Sequence, residues 1–154
     1  MHSDDVFRAQ LQNTIASLRY WIPSIADAVR VEEIEDEGFW KISVIPKTQG
    51  ACPFELIFRA DRHFDMVIAG ETFEDLELSS FDLFLPLVEA IADGRVIQRR
   101  RVSQATGALR EIETIVLLKN GQDWRRLRTL GEATALVTSE DTERRDRHFL
   151  SYRR

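Results

Sequence analysis

The chain has one cysteine, Cys52, among 154 residues, so it can form neither an intrachain disulfide nor a cysteine-based zinc site. Glycine and proline together supply only 7 + 4 = 11 positions, which excludes collagen-like and linker-like chains. No apolar run reaches the roughly 18 residues that a membrane-spanning helix needs, and the start Met1-His2-Ser3-Asp4-Asp5 has no basic or apolar leader pattern. The expectation is a cytoplasmic protein with no membrane association. Motifs are missing as well: no GxGxxG, no GxxxxGK[ST] and no CxxC occurs. No catalytic residue, metal site or cofactor is therefore assigned from sequence.

What is present is an ordinary globular composition, 44% hydrophobic and 31% charged, sufficient for one hydrophobic core. Charge is unevenly placed. Residues 1–93 hold 7 Lys/Arg and 18 Asp/Glu (7 − 18 = −11), whereas residues 94–154 hold 14 and 8 (14 − 8 = +6). Of the 21 basic residues 18 are arginine, the side chain best suited to bidentate carboxylate or phosphate binding. Pairing between the two segments within one fold would neutralise much of this asymmetry.

Periodicity predicts an α+β fold. After Ser3 as a possible N-cap, Phe7, Leu11, Ile15, Leu18 and Ile22 recur at helical spacing until Pro23 interrupts. The acidic run Glu32-Glu33-Ile34-Glu35-Asp36-Glu37 reads as a solvated connector. Alternation around Trp40–Val44, Phe54–Phe58 and Phe64–Ile68 predicts an antiparallel three-strand meander, with Trp40, Phe54, Phe58 and Phe64 in the core. Ser80 or Asp82 can cap a central helix ending near Asp93, with Gly94 just past its end and Pro86 tolerated near its start.

That central helix is apolar around most of its circumference: Phe81, Leu83, Phe84, Leu85, Leu87, Val88 and Ile91 leave only a narrow polar stripe. A single sheet face cannot cover it, which motivates the expectation of a homodimer, with Phe84, Leu87, Val88 and Ile91 as packing or interface residues. A second antiparallel meander follows over 95–103, 110–119 and 124–130. Asn120-Gly121 suggests a two-residue type I′ turn, which places Glu113 opposite Arg128, and a turn centred on Thr106-Gly107 places Arg100 on the other side of Glu113. A short C-terminal helix over 132–137 completes a single α+β domain, 1–137, and 138–154 reads as a charged, frayed tail.

Three functional readings compete. The first is a soluble protein-binding module, chaperone-like or adaptor in role. The second is nucleic-acid binding through strands 95–101 and 124–128, with Arg99, Arg101 and Arg125 as anion contacts and Trp124 available for stacking. Strand alternation weakens it, since Arg100 faces away from Arg99 and Arg101. The third is a small-molecule or metal-dependent enzyme using Asp61, His63 and Asp65, residues that also suit a solvated turn. Cys52 lacks the neighbours of a nucleophile.

The order helix, three strands, helix, two or three strands, helix over Phe7 to Val137 resembles the secretion-chaperone-like fold of type III secretion chaperones and related bacterial proteins. The resemblance implies dimerisation through the second helix and adjoining sheet, and grooves that hold an extended partner polypeptide. No motif is shared, so no functional residue is carried over.

Overall fold

A computed structural model describes residues 2–130 and 141–153. Among these, two α-helices and nine strands form two antiparallel sheets, so the α+β class holds. Helix α1 (His2–Trp21) has Asp4 and Asp5 in its first turn and Arg19 in its last, matching the helix dipole. It buries Phe7, Ile15 and Leu18. Pro23 lies in a 3-10 turn, Ile22–Ser24, where the lost N–H does not break an α-helical ladder.

The first sheet has the order β1 (Val29–Asp36), β2 (Phe39–Pro46), β3 (Phe54–Arg59), β4 (His63–Ile68), β5 (Glu71–Glu77). The three-strand meander is thus the centre of a five-stranded sheet. The acidic run is corrected from connector to edge strand: β1 pairs with β2 in unbroken register from Val29↔Pro46 to Asp36↔Phe39. Val29 and Val31 pack against the core, while carboxylates line an edge that would otherwise invite association. Strand β5 follows a two-residue turn at Ala69-Gly70, both at positive φ (56° and 80°) with Ile68 paired to Glu71, as a type I′ turn requires.

Helix α2 (Phe84–Ala92) starts after Leu83 with no side-chain cap and takes Pro86 in its first turn. It ends in a Schellman arrangement: Arg95 N–H donates to the Ala90 carbonyl and Gly94 N–H to the Ile91 carbonyl, with Gly94 at φ +78°. Phe84 meets Phe58 and Phe64 edge-on at centroid distances of 4.7 and 5.0 Å. Phe84, Leu87, Val88 and Ile91 are all buried. The cover that the apolar circumference demands comes from the chain itself, since α2 also touches α1 and β7. The expectation of a homodimer therefore loses its original support.

The second sheet has the order β8 (Asp123–Thr129), β7 (Leu109–Leu117), β6 (Val96–Ser103), β9 (Thr142–His148). The β7–β8 turn is corrected: Leu118 N–H bonds the Gln122 carbonyl, and Gly121 alone has positive φ (84°), so three residues, 119–121, form the loop. That extra residue slips the register by one. Leu127 faces Glu113, and Arg128 faces Ile112; on the other flank Arg99, not Arg100, faces Glu113.

The tail is also corrected. Its first three residues and the helix expected at 132–137 lie outside the described residues, but β9 pairs with β6 along its whole length. Beyond β9, Phe149 and Tyr152 enter the core. Backbone bonds from Phe149 to Val96, Leu150 to Gly50 and Tyr152 to Ala92 fix this segment in place.

Candidate docking face on the second sheet

The register of the second sheet sorts its arginines between two faces. Cross-strand pairs share a face, and residues two apart along a strand do too. On one face the row Trp124, Val116, Val96 is apolar; the next is Arg126, Thr114, Gln98, Arg147; the next is Arg128, Ile112, Arg100, Arg145. Arg99, Arg101, Arg125 and Arg144 belong to the opposite face.

The two faces differ in charge balance. On the opposite face each arginine has a carboxylate: Arg99 and Arg144 on Asp146 (3.1 and 3.4 Å), Arg101 on Glu111 (3.7 Å), and Arg125 on Glu113 and Asp123 (3.6 and 3.2 Å). The hydrogen bond to Asp146 raises the Arg99 pKa, and the same bond holds the Asp146 carboxyl below its usual range. The three arginines singled out from sequence, Arg99, Arg101 and Arg125, are thus already neutralised.

On the first face, Arg128 grips Glu71 with two bonds of 2.7 and 3.0 Å, and Arg145 pairs with exposed Glu143 at 3.1 Å. Arg100, Arg126 and Arg147 have no carboxylate partner among the described residues. Arg126 lies 5.0 Å over the Trp124 ring and Arg147 4.5 Å over the Phe149 ring, which positions both guanidiniums. Burial pushes the Arg126 pKa below its ordinary value. An unneutralised guanidinium in a partly dry setting favours an incoming anion more than a solvated one does.

A groove of about 300 Å³ opens between β6 and β9 on this face, lined by Gln98, Arg100, Val102, Leu109, Arg145 and Arg147 among others. Gln98, 2% exposed, donates from Nε2 to the Ala69 carbonyl at 2.8 Å, while its Oε1 has no donor among the described residues. The β4–β5 turn therefore lies against this face and helps to shape it.

The other sequence candidates lie elsewhere. His63 N–H donates to Asp61 Oδ1 at 3.2 Å, and its ring Nδ1 lies 3.0 Å from the Asp61 carbonyl, forming a β3–β4 turn. Asp65 accepts the Asp75 N–H at 2.9 Å and faces Arg59 at 3.3 Å. Among the described residues no three His, Cys, Asp or Glu side chains converge on a possible metal position. Cys52 is fully buried, and burial pushes its thiol up to about 12. Sequence reasoning missed Arg100, Arg126, Arg145 and Arg147 as a set. The alternation isolating Arg100 was visible, but its partners Arg145 and Arg147 lie in the segment taken for a tail.

No protein-family model, curated protein or solved structure matches this chain.

Proposed function

We propose that the protein is a binding module, chaperone-like or adaptor in role, that takes an acidic polypeptide on the arginine face of the second sheet. The observation supporting this reading is the contrast between the faces: carboxylates neutralise Arg99, Arg101, Arg125 and Arg144, while Arg100, Arg126 and Arg147 have none among the described residues. Carboxylates offered by a partner would complete them through bidentate contacts, and steering by the basic surface would speed encounter.

Nucleic acid is the second reading, favoured by the same charge. It is weaker because the rings that could stack on bases, Trp124 and Phe149, are each only 5% exposed and lie beneath Arg126 and Arg147.

Fluorescence anisotropy with a labelled Glu-rich peptide and an oligothymidylate of equal charge tests both. The expected result is peptide binding that weakens steeply as salt rises, with weaker oligonucleotide binding. Oligonucleotide binding alone would replace the first reading with the second, and no binding of either at low salt would overturn both.

A further inference from the structure

From the free edge of the second sheet we infer that two copies of the chain associate through β9, strand to strand about a two-fold axis at Arg145. Among the described residues, β9 is paired on one flank only, by β6, in unbroken register from Ile97↔His148 to Ser103↔Thr142. Its other flank has no backbone partner among the described residues, a template for strand addition. It contains no proline, and no bulge interrupts its pairing with β6.

The charge order along β9, Thr142-Glu143-Arg144-Arg145-Asp146-Arg147-His148, selects the occupant. In an antiparallel pair of two copies with full overlap, the two residue numbers at each position sum to 290. Glu143 then faces Arg147 of the second copy, Arg144 faces Asp146, and Arg145 faces its own counterpart. Four of the seven positions become opposite-charge pairs, each favourable in a sheet, against one like-charge pair at the axis. Sliding the strands by two in either direction cuts the overlap from seven pairs to five: one slide puts Asp146 on Asp146 and Arg145 on Arg147 and leaves no opposite-charge pair, and the other puts Arg144 on Arg144 and leaves two opposite-charge positions, Glu143 against Arg145.

Backbone geometry agrees. Phe149 N–H bonds the Val96 carbonyl, so in the alternating pattern of an antiparallel ladder the odd residues of β9 point their polar groups at β6. Residues 144, 146 and 148 point outward, and the proposed register matches 144 with 146, outward group to outward group.

The remaining edges suit self-pairing less well. Strand β1 carries Glu32, Glu33, Glu35 and Asp36, so β1 against β1 sets acid against acid. Strand β5 is interrupted by an irregularity opposite Asp65, with Asp75 at φ +56°. On β8, full antiparallel overlap of two copies sets Arg126 on its own counterpart and makes no opposite-charge pair.

The result is a continuous eight-stranded sheet. Its axis brings Arg145 and Arg100 of each copy into one row of the proposed arginine face, while Arg147 of each copy meets Glu143 of the other. Association itself does not depend on that function.

The test uses two single variants that swap one charge pair. Glu143→Arg sets arginine against Arg147 of the second copy, and Arg147→Glu sets glutamate against Glu143. The expected result by sedimentation velocity, at about 50 µM where mass action favours association, is a wild-type dimer. Each variant alone should sediment as a monomer, at least about tenfold weaker in association, with a folded circular dichroism spectrum. A 1:1 mixture should restore the dimer, because both cross-pairs are then opposite in charge. A monomeric wild type, variants that remain dimers, or a mixture that stays monomeric would overturn the inference.

Discussion

The Tyr152 hydroxyl donates to the Cys52 carbonyl at 2.6 Å, joining positions 100 residues apart. Tyr152 is 2% exposed; Thr48 Oγ1 donates to its carbonyl, and its own N–H bonds Ala92. The last residues of the described chain thus tie the β2–β3 loop to the end of α2. Tyr152→Phe should remove the hydroxyl bond and leave the Cys52 carbonyl unpaired, lowering stability by about 1–2 kcal/mol in urea denaturation. An unchanged midpoint would mean that the hydroxyl bond to Cys52 adds nothing to stability.

Gly94 sits where that strap crosses α2. A Cβ there would lie 2.5 Å from the Ser151 nitrogen and 2.7 Å from the Leu150 carbonyl carbon, and the residue holds φ +78°. Gly94→Ala combines a left-handed conformation costing about 1–2 kcal/mol with a backbone collision. Thermal unfolding should show a larger loss than Gly107→Ala, where φ is +75° but no atom of the described residues lies within 4 Å. Equal losses would remove the steric component.

The buried thiol gives stability an alkaline limit. Burial raises the Cys52 pKa to about 12, above the roughly 8.5 of an unfolded thiol, so the unfolded chain loses its proton first. The stabilisation is complete below about pH 8.5 and is lost as pH rises toward the folded value. Tyr152, also raised by burial, acts in the same direction. Urea midpoints should fall between about pH 8.5 and 10.5, less so in Cys52→Ala. A Cys52→Ala profile as steep as wild type would exclude the thiol as a contributor.

Much of the fold is legible in the sequence where period and burial agree. Trp40, Ile42 and Val44 alternate because one sheet face is buried, and α1 and α2 show their apolar periods for the same reason. Edge strands escape this logic. In β1 and β9 most side chains are exposed, so neither bears a hydrophobic alternation, and their structure comes from backbone pairing with a neighbour distant in sequence. Turn chemistry misled in a similar way: Ala69-Gly70 makes the two-residue turn without asparagine, while Asn120-Gly121 sits in a three-residue loop. Because the arginine face depends on β9 and on a register fixed by that loop, sequence reasoning selected Arg99, Arg101 and Arg125 and missed Arg145 and Arg147.

Phe84 separates internal packing from association. Its ring is fully buried between Phe58 and Phe64 within one chain. Phe84→Ala should lower stability by about 3–5 kcal/mol, with a loss that does not depend on protein concentration. A loss that disappears as concentration rises would place this ring in an interface between copies.

The most direct measurement compares two sets of arginine variants for binding the labelled Glu-rich peptide at low salt. Arg100→Gln with Arg147→Gln removes cations that lack carboxylate partners among the described residues, and Arg101→Gln with Arg144→Gln removes two that are paired. The expected result is a loss of at least about tenfold in affinity for the first set and less than about twofold for the second. Equal losses, or a larger loss from the paired set, would contradict the arginine face as the docking surface.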